Sequence, residues 1–322
     1  MTSRTYDLAW GAVMPRPPEE ALAAFPMPLG NMAVGVVTEI GTEVSRFRTG
    51  DRVFGHFPIR ETQTVDQSRA DLLPAGLSPE AALCLDPLVM ALAMRDAGIS
   101  LGDRIAVFGL GAIGQCAVQL PRWSGADRVI AVDPIENRRE LAQRLGVDVV
   151  LDPTESDGDA GLAIRRLTGS FSDATPQEPA RRIVGGYAEQ PSQLSQLGVD
   201  VAVETSGSAP AVHQTVRATR FGGTVCVISF YGREAAGLHL GEEVYINRLT
   251  LVSTRAQSLP MRDAPAWTLE RLVTLGLDWL TSDRVIIEGI ITPIVSFEDS
   301  VDAYRMIDEH PERSIKLGVR FP

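Results

Sequence analysis

Residues 104–114 read RIAVFGLGAIG, an apolar strand pattern that leads directly into three glycines with G-x-G-x-x-G spacing. Gly109 suits a tight turn, Gly111 lets the backbone approach a diphosphate, and Gly114 allows strand and helix to pack closely. The following segment AIGQCAVQL is typical of a helix, and helix N-termini attract negatively charged groups. We therefore predict a dinucleotide-binding turn made of Gly109, Gly111, Ala112, Ile113 and Gly114.

A second strand pattern, RVIAVD, ends at Asp133, about twenty residues beyond the glycine turn. A carboxylate at this point accepts a hydrogen bond from a ribose 2′-hydroxyl and repels a 2′-phosphate, which favours NAD over NADP. Asp133 can equally cap the next helix, with Pro134 at the first helical position, and one side chain can do both.

Apolar strand-like runs alternate with helical segments on both sides of Asp133, which predicts a parallel sheet covered on both faces. The predicted fold is therefore α/β, a doubly wound Rossmann sheet. Before it, β-branched runs in residues 33–54 indicate short antiparallel strands, and Ser78 is a candidate helix cap. The alternation in LHLGEE predicts a short strand at His239. Residues 156–197 begin helically and become polar, which indicates a mobile insertion or a functional excursion, and we favour the former.

The 322 residues have a net charge of −11 and 44% hydrophobic content, as expected of a soluble globular protein with two domains. This charge argues against general binding to nucleic acid or anionic membranes. No apolar run reaches the roughly 20 residues that span a bilayer, and no secretory signal is evident, so we expect a cytoplasmic protein. Cys84, Cys116 and Cys226 stand apart in apolar stretches, which indicates buried thiols.

The sequence motifs flanking the glycine turn resemble those of the medium-chain dehydrogenase/reductase superfamily, which contains the zinc alcohol and polyol dehydrogenases. The resemblance extends from Gly30 to Phe321 and is carried by GVVTEIGTEVSRFRTGDRVFG, AGLSPEAALCLDPLVMALAMRDAGISLGDRIAVFGLGAIG, VDVAVETSGS and VSFEDSVDAYRMIDEHPERSIKLGVRF. Within the superfamily, FYGREAAGLHLGEE followed by NRLTLVSTRAQ is most similar to a zinc-less subgroup that includes bacteriochlorophyllide dehydrogenase-like members.

This resemblance implies a GroES-like, β-rich catalytic domain built from residues 1–95 and 257–322. It implies a Rossmann NAD-binding domain at 96–256 that contains the insertion around 156–197. The segment before Leu29 is shorter than in other family members, so the catalytic domain is expected to be reduced. The segment LTLVST implies an edge strand through which a homodimer or homotetramer forms.

The resemblance also implies coenzyme contacts beyond the glycine turn. Arg138 falls where the family places a basic residue near the adenosine ribose, and Lys316 falls where a basic residue reaches the pyrophosphate. For both residues a solvated surface charge is the alternative. Val227, Ile228 and Ser229 are expected under the nicotinamide ring, and Ser206 is expected to contact the coenzyme.

The departures from the family concern zinc. Zinc members carry Gly-His-Glu where this chain has Gly30, Asn31 and Met32, and no cysteine precedes Cys84. A catalytic zinc needs about three protein ligands, and only Asp86, in LDPL, is retained. We therefore predict no metal. Asp86 is expected either to take part in catalysis or to cap the helix PLVMALAM.

Alcohol oxidation without a metal needs another acceptor for the hydroxyl proton. Among the four histidines, His56 is the first candidate, because it follows a strand that borders the active-site cleft in related enzymes. His213, His239 and His310 are interpreted as structural or surface residues. Tyr231 is the reserve proton donor. We expect the substrate-binding residues to be Asn31, Arg60 and Glu61.

The sequence thus favours a zinc-independent, NAD-dependent oxidoreductase that interconverts a secondary alcohol, such as a polyol or sugar-like compound, and a ketone. One alternative is a zinc-free quinone or enoyl reductase that uses NAD(P)H, although Asp133 counts against NADPH. Another is a catalytically inactive nucleotide-binding protein with a structural or regulatory role.

Overall fold

The computed structural model describes residues 28–155, 158–169, 197–231, 238–256 and 262–322, and the backbone of four short strands outside these ranges. The chain forms two compact units, residues 1–73 and residues 74–322. The domain boundaries expected after residues 95 and 256 stay a prediction. Most of the insertion at 156–197 lies outside the described residues.

The first unit is built on short antiparallel strands, as the β-branched runs predict. Its three-stranded sheet pairs Ala33 with Gly55, and Phe47, Phe57 and Ala70 form the buried core beneath it. Its strands are β1 (Tyr6–Asp7), β2 (Met14–Pro15), β3 (Ala33–Val36), β4 (Arg52–Gly55) and β5 (Asp71–Leu72).

The second unit contains the predicted parallel sheet. Its strands are β6 (Arg104–Phe108), β7 (Arg128–Val132), β8 (Val149–Leu151), β9 (Ile183–Val184), β10 (Tyr187–Ala188), β11 (Val199–Glu204), β12 (Thr219–Val227), β13 (Thr250–Ser253), β14 (Ile291–Ser296) and β15 (Lys316–Arg320). Six of them form one sheet in the order β13-β12-β11-β6-β7-β8, with every neighbouring pair parallel. This is the strand order of a Rossmann fold, and the direction of winding reverses between β6 and β11. The predicted fold class is confirmed.

Helices connect these strands. They are α1 (Pro79–Leu83), α2 (Leu85–Leu92), α3 (Ala112–Ala117), α4 (Leu120–Trp123), α5 (Glu136–Arg144), α6 (Ala160–Thr168), α7 (Ala209–Ala218), α8 (Leu269–Thr281) and α9 (Ser300–Glu309). The Ser78 hydroxyl accepts a hydrogen bond from the Ala81 N–H at 3.0 Å, so Ser78 caps α1 as expected. The residue at the N-cap of α2 is Cys84, not Asp86, which lies inside the first turn. The capping role considered for Asp86 is therefore wrong by position.

The strand expected at His239 is absent from the described segment 238–256, where a π-helical turn runs from Leu240 to Val244. The winding brings Glu243 against α7, where its carboxylate contacts His213 at 2.8 Å and Arg217 at 2.6 Å. The strand expected from the alternating pattern is therefore wrong, and the turn is held by contacts with α7.

Separate from the main sheet, β14 and β15 form a parallel pair. No helix in the described part of the chain is long and apolar enough to cross a membrane. All three cysteines are buried free thiols, as expected. Burial raises the pKa of Cys84 and of Cys226 to about 12, so neither is a ready thiolate ligand.

Candidate coenzyme and substrate sites

The glycine turn lies at the carboxyl end of β6, beside the point where the sheet reverses direction. Gly109 has φ = +89°, and a Cβ there would lie 2.6 Å from the Cβ of Ser206. The Thr205 hydroxyl donates a hydrogen bond to the Gly109 carbonyl at 2.6 Å. The turn is thus locked to the end of β11, and only glycine fits its first position without strain.

Gly111 has a different environment. It is the N-cap of α3, with φ = −68°, and a Cβ added there would meet nothing within 4 Å. Open space beside a helix N-terminus is what a diphosphate requires, since the free N–H groups and the helix dipole favour negative charge. The residues of this turn fit a dinucleotide.

Asp133 follows β7 and is buried, with 3% of its surface exposed. Its carboxylate accepts hydrogen bonds from the Leu110 N–H at 2.7 Å and the Ile135 N–H at 2.8 Å. The first bond ties Asp133 to the glycine turn, and the second gives it the local capping role expected from the sequence. Each carboxylate oxygen can accept a further hydrogen bond, so contact with a ribose is compatible with both.

Arg138 is not the solvated surface charge that was its alternative. Its guanidinium donates to the carbonyls of Pro311 at 3.1 Å and Ser314 at 2.9 Å, and lies 3.9 Å from Asp133. Arg139 likewise donates to the Asp133 carbonyl at 2.8 Å and pairs with Asp152 at 2.9 Å. Both arginines next to Asp133 are therefore held by the protein itself.

Lys316, at the start of β15, is the single lysine among the 322 residues. It is half-buried, and its positive charge lowers the pKa of the Cys84 and Cys116 thiols, opposing the larger effect of burial. Cys116 belongs to α3, the helix that the glycine turn begins. The ammonium therefore acts electrostatically on the helix where the pyrophosphate is expected.

A buried carboxylate that sequence reasoning missed ends β11. Glu204 is fully buried and accepts hydrogen bonds from the Ser206 N–H at 2.8 Å, the Gly207 N–H at 3.2 Å, and the hydroxyls of Ser206 and Tyr231. Burial raises the pKa of Glu204, and these hydrogen bonds oppose the rise. The sequence feature that could have indicated Glu204 is an acidic residue at the end of an apolar strand, as in VDVAVE.

The hydrogen bonds of Glu204 involve two predicted site residues, Tyr231 and Ser206. The Tyr231 hydroxyl is committed to Glu204, and burial together with the Glu204 charge raises the pKa of Tyr231. Ser206 packs against Gly109. Beside them, Val227 and Ser229 are half-buried and Ile228 is buried at the end of β12. The glycine turn, Asp133, Ser206 and Val227–Ser229 thus lie at the carboxyl edge of one sheet, whereas Lys316 lies in the separate β14–β15 pair.

The predicted substrate residues lie in the first unit. A cavity of about 520 Å³ is lined by Asn31 and Arg60, two of the three predicted substrate-binding residues, and by His56, the predicted proton acceptor. Glu61 is exposed and is not among the lining residues. Arg69, which sequence reasoning missed, also lines the cavity, and its guanidinium donates to the His56 carbonyl at 3.4 Å.

His56 is oriented by a peptide carbonyl. Its Nδ1 lies 3.1 Å from the carbonyl oxygen of Asn31, and because a carbonyl only accepts, Nδ1 carries the proton. In neutral His56 the lone pair is then on Nε2. The ring is set up to accept a proton at that atom.

The donor set does not fit a catalytic zinc. Within the described ranges, no group of three or more His, Cys, Asp or Glu side chains is placed to hold a metal ion. Asn31 and Met32 are poor zinc ligands, and the half-buried Asp86 lies in the first turn of α2. We derive no step through zinc.

Comparison with known proteins agrees with this architecture. A model for the alcohol dehydrogenase GroES-like domain matches residues 7–78, and a model for the zinc-binding dehydrogenase family matches residues 112–272. The chain is 35% identical to D-guloside 3-dehydrogenase of Escherichia coli (strain K12) over 319 residues, which cover 97% of this chain and 83% of that enzyme.

More distant relatives include D-xylulose reductase of Saccharomyces cerevisiae, at 24% identity over 92% of this chain and 82% of that enzyme. The fold matches the crystal structure of 2R,3R-butanediol dehydrogenase from Bacillus subtilis with a TM-score of 0.64, at 22% identity over 89% of this chain and 78% of that one.

The fold and these relatives define an oxidoreductase of the alcohol dehydrogenase type. The chain belongs to the medium-chain dehydrogenase/reductase superfamily, in its zinc-type alcohol and polyol dehydrogenase-like family. Dehydrogenases of this family typically use NAD or NADP.

Proposed function

We propose that this chain is an NAD-dependent dehydrogenase that oxidises a secondary alcohol of a polyol or sugar-like substrate to a ketone without zinc. The observation that carries the proposal is the open face of Gly111 at the N-terminus of α3, beside the reversal point of the Rossmann sheet. When bound, the nicotinamide supplies the hydride acceptor of the reaction.

The preference for NAD rests on the charges around the adenosine side of the site. Asp133 is a buried carboxylate attached to the glycine turn, and it disfavours a 2′-phosphate. Arg138 and Arg139 could neutralise such a phosphate, but main-chain carbonyls and Asp152 already engage them. Releasing either arginine would break contacts that the folded protein makes.

His56 is the proposed proton acceptor. The Asn31 carbonyl holds Nδ1–H, which leaves Nε2 to take the hydroxyl proton while the carbon-bound hydrogen leaves as hydride. The carbonyl also stabilises the ring after protonation, because Nδ1–H becomes a stronger donor when the imidazole is charged. Arg69 holds the His56 carbonyl and helps to position its loop. In this scheme Tyr231 positions Glu204 and is not the first proton donor.

The chemistry of the donors supports a zinc-independent reaction. Asn31 and Met32 stand where zinc members carry a His-Glu pair, and the raised pKa of Cys84 disfavours the thiolate that zinc requires. We place the chain in a zinc-less subgroup similar to bacteriochlorophyllide dehydrogenase-like members. The substrate class is supported by the 35% identical relative, whose name describes oxidation of a sugar derivative.

We further propose a homodimer or homotetramer in the cytoplasm. β13 is the outer strand of the six-stranded sheet, and the exposed apolar side chains of Leu251, Tyr245 and Ile246 lie on it or just before it. An edge strand of this kind favours pairing with a second copy. Free buried thiols suit a reducing compartment.

The test is a coenzyme titration followed by a substrate panel. We expect NADH to bind more tightly than NADPH, and polyols or glycosides to be oxidised with NAD by protein that contains no zinc. One equivalent of tightly held zinc that is required for turnover would contradict the metal-free scheme. NADPH-driven reduction of enones would indicate the quinone or enoyl reductase, and coenzyme binding without any turnover would indicate the inactive protein.

A further inference from the structure

The cavity in the first unit carries positive charge inside a strongly acidic protein. Arg60 and Arg69 line it together with His56, whereas no Asp or Glu is among its described lining residues. The sequence as a whole has a net charge of −11. Two arginines without a carboxylate therefore make this cavity locally opposite in sign to the molecule.

Glu61, next to Arg60, is exposed and is not among the lining residues, and two further acidic residues of this unit are engaged elsewhere. The Asp66 carboxylate accepts hydrogen bonds from the Ser68 N–H at 2.8 Å and the Ser68 hydroxyl at 2.6 Å. Asp71 pairs with Arg46 at 3.0 Å. Across the described part of the first unit, neither Arg60 nor Arg69 forms an ion pair with a carboxylate, so both can still pair with an anionic ligand.

Guanidinium groups bind carboxylates and phosphates through paired N–H donors, and such charge-assisted hydrogen bonds are stronger than neutral ones. The cavity also offers the polar side chains of Gln63 and Thr64, which suit hydroxyl groups. Its volume of about 520 Å³ lies within the range of small-molecule sites. The lining thus combines an oxyanion site with hydroxyl-binding groups and His56.

We propose that the substrate is a polyhydroxylated compound that carries an oxyanion, a carboxylate or a phosphate, and that Arg60 and Arg69 bind this group. The substrate hydroxyl that loses its proton then lies in the same cavity as His56 Nε2. The assignment rests on the proposed dehydrogenase function for its second half only, because the binding of the oxyanion does not require turnover.

The experiment measures binding to the full chain by titration calorimetry with hexonates, hexitol phosphates and the corresponding neutral hexitols. We expect at least one acid to bind about 10- to 100-fold more tightly than its neutral counterpart, as for a hydrogen bond to a charged group. The affinity should fall as sodium chloride is added, since the arginines are exposed. The tighter of the two acidic series identifies the carboxylate or the phosphate.

Variants locate the site. Arg60→Gln and Arg69→Gln should each remove about 10-fold or more of the affinity for the acid and weaken the neutral hexitol much less. Arg52→Gln is the matched control, because Arg52 is exposed in the same unit and does not line the cavity. Denaturant unfolding that is unchanged in all three variants shows that they fold.

The proposal is overturned if no acid binds more tightly than its neutral partner, or if Arg52→Gln weakens the acid as much as the two cavity variants do. Failure of the proposed function looks different. Acids would then bind in an Arg60-dependent manner, yet no member of the panel would be oxidised with NAD or NADP.

Discussion

At the scale of single residues, the chemistry depends on how two groups are held. His56 is oriented by a neutral carbonyl 25 residues away in sequence, with no carboxylate behind the ring among the described contacts. A carbonyl fixes the tautomer and the ring plane of the neutral imidazole, with the lone pair on Nε2. The ring can therefore act as a base when a hydroxyl reaches Nε2.

Replacing His56 tests this role. His56→Ala should lower kcat about 10²-fold or more, because general-base catalysis is lost, while NADH affinity stays the same. His310→Ala is the control, since that ring is exposed and contacts only Glu312 among the interactions of the described residues. Steady-state kinetics with the best substrate of the panel checks both variants, and full activity of His56→Ala would remove this residue from the mechanism.

The burial of Glu204 predicts how the free energy of unfolding depends on pH. Burial raises the pKa of its carboxyl above the ordinary value of 4.5, so folding favours the protonated form. The resulting stabilisation is complete below pH 4.5 and is lost as pH rises through the higher pKa of the folded state. The free energy of unfolding of the native chain should therefore fall relative to that of Glu204→Gln across this window.

Denaturant unfolding at a series of pH values measures that difference, and the comparison cancels the opposite trend of carboxyls such as Asp200, whose pKa is lowered. A difference that stays constant from about pH 4 to about pH 8 would contradict the assignment.

At the scale of single residues, the sequence could predict only the roles that follow from local patterns. Gly109, Gly111 and Gly114 stand at fixed spacing, so their roles could be inferred without a structure. The partnership of Glu204 with Tyr231 joins residues 27 apart, and it depends on β11 and β12 being neighbours in the sheet. The cationic cavity depends equally on how the loop that carries Arg69 folds back on His56.

At the scale of elements, two glycines of the glycine turn are expected to have different roles. Gly109 contributes to the stability of the fold and Gly111 to binding of the coenzyme. Gly109→Ala forces a left-handed residue with a Cβ 2.6 Å from the Ser206 Cβ, and should lower the free energy of unfolding by about 1–3 kcal/mol. Gly111→Ala has room and ordinary φ, so its unfolding should change by less than about 1 kcal/mol. Its methyl group nevertheless occupies the space that the diphosphate needs.

We therefore expect Gly111→Ala to weaken NADH binding about tenfold or more while it stays folded, measured by fluorescence titration and denaturant unfolding. Native affinity in Gly111→Ala would show that the diphosphate lies elsewhere.

The edge strand gives a prediction about assembly. Leu251→Lys places a charge on β13 and should convert the proposed dimer into monomers, because charged side chains block strand pairing. Leu101→Lys, at an exposed leucine of the same unit outside any strand, should leave the assembly unchanged. Sedimentation velocity distinguishes the two variants, and a dimeric Leu251→Lys protein would place the interface on another surface.

Element types were predictable where the apolar pattern was long. The near-continuous strands of the main sheet were correctly expected, because burial on both faces selects Val, Ile and Leu at every position. The π-helical turn after His239 was not expected from its sequence. Its Glu243 contacts His213 and Arg217 on another helix, and these contacts are not visible in the local pattern. Short segments take their conformation from such partners.

For the whole molecule, the family and the fold class could be predicted, because many short sequence motifs occur in the family's order and each belongs to one strand or turn. That the reaction needs no metal stays a proposal, which rests on the donors missing at Asn31 and Met32 and on the burial of Cys84. Substrate chemistry was harder to predict than the fold. It required the lining of one cavity, which no stretch of sequence contains.

Lys316 begins β15, where it pairs with Ile291 of the parallel neighbour β14. A lysine-specific protease therefore has one peptide bond to cut in these 322 residues, the one that joins Lys316 to Leu317. Cleavage requires the strand to leave its partner and enter the enzyme in extended form. The rate of cleavage after Lys316 therefore measures how often this strand pair opens, and bound coenzyme should slow it.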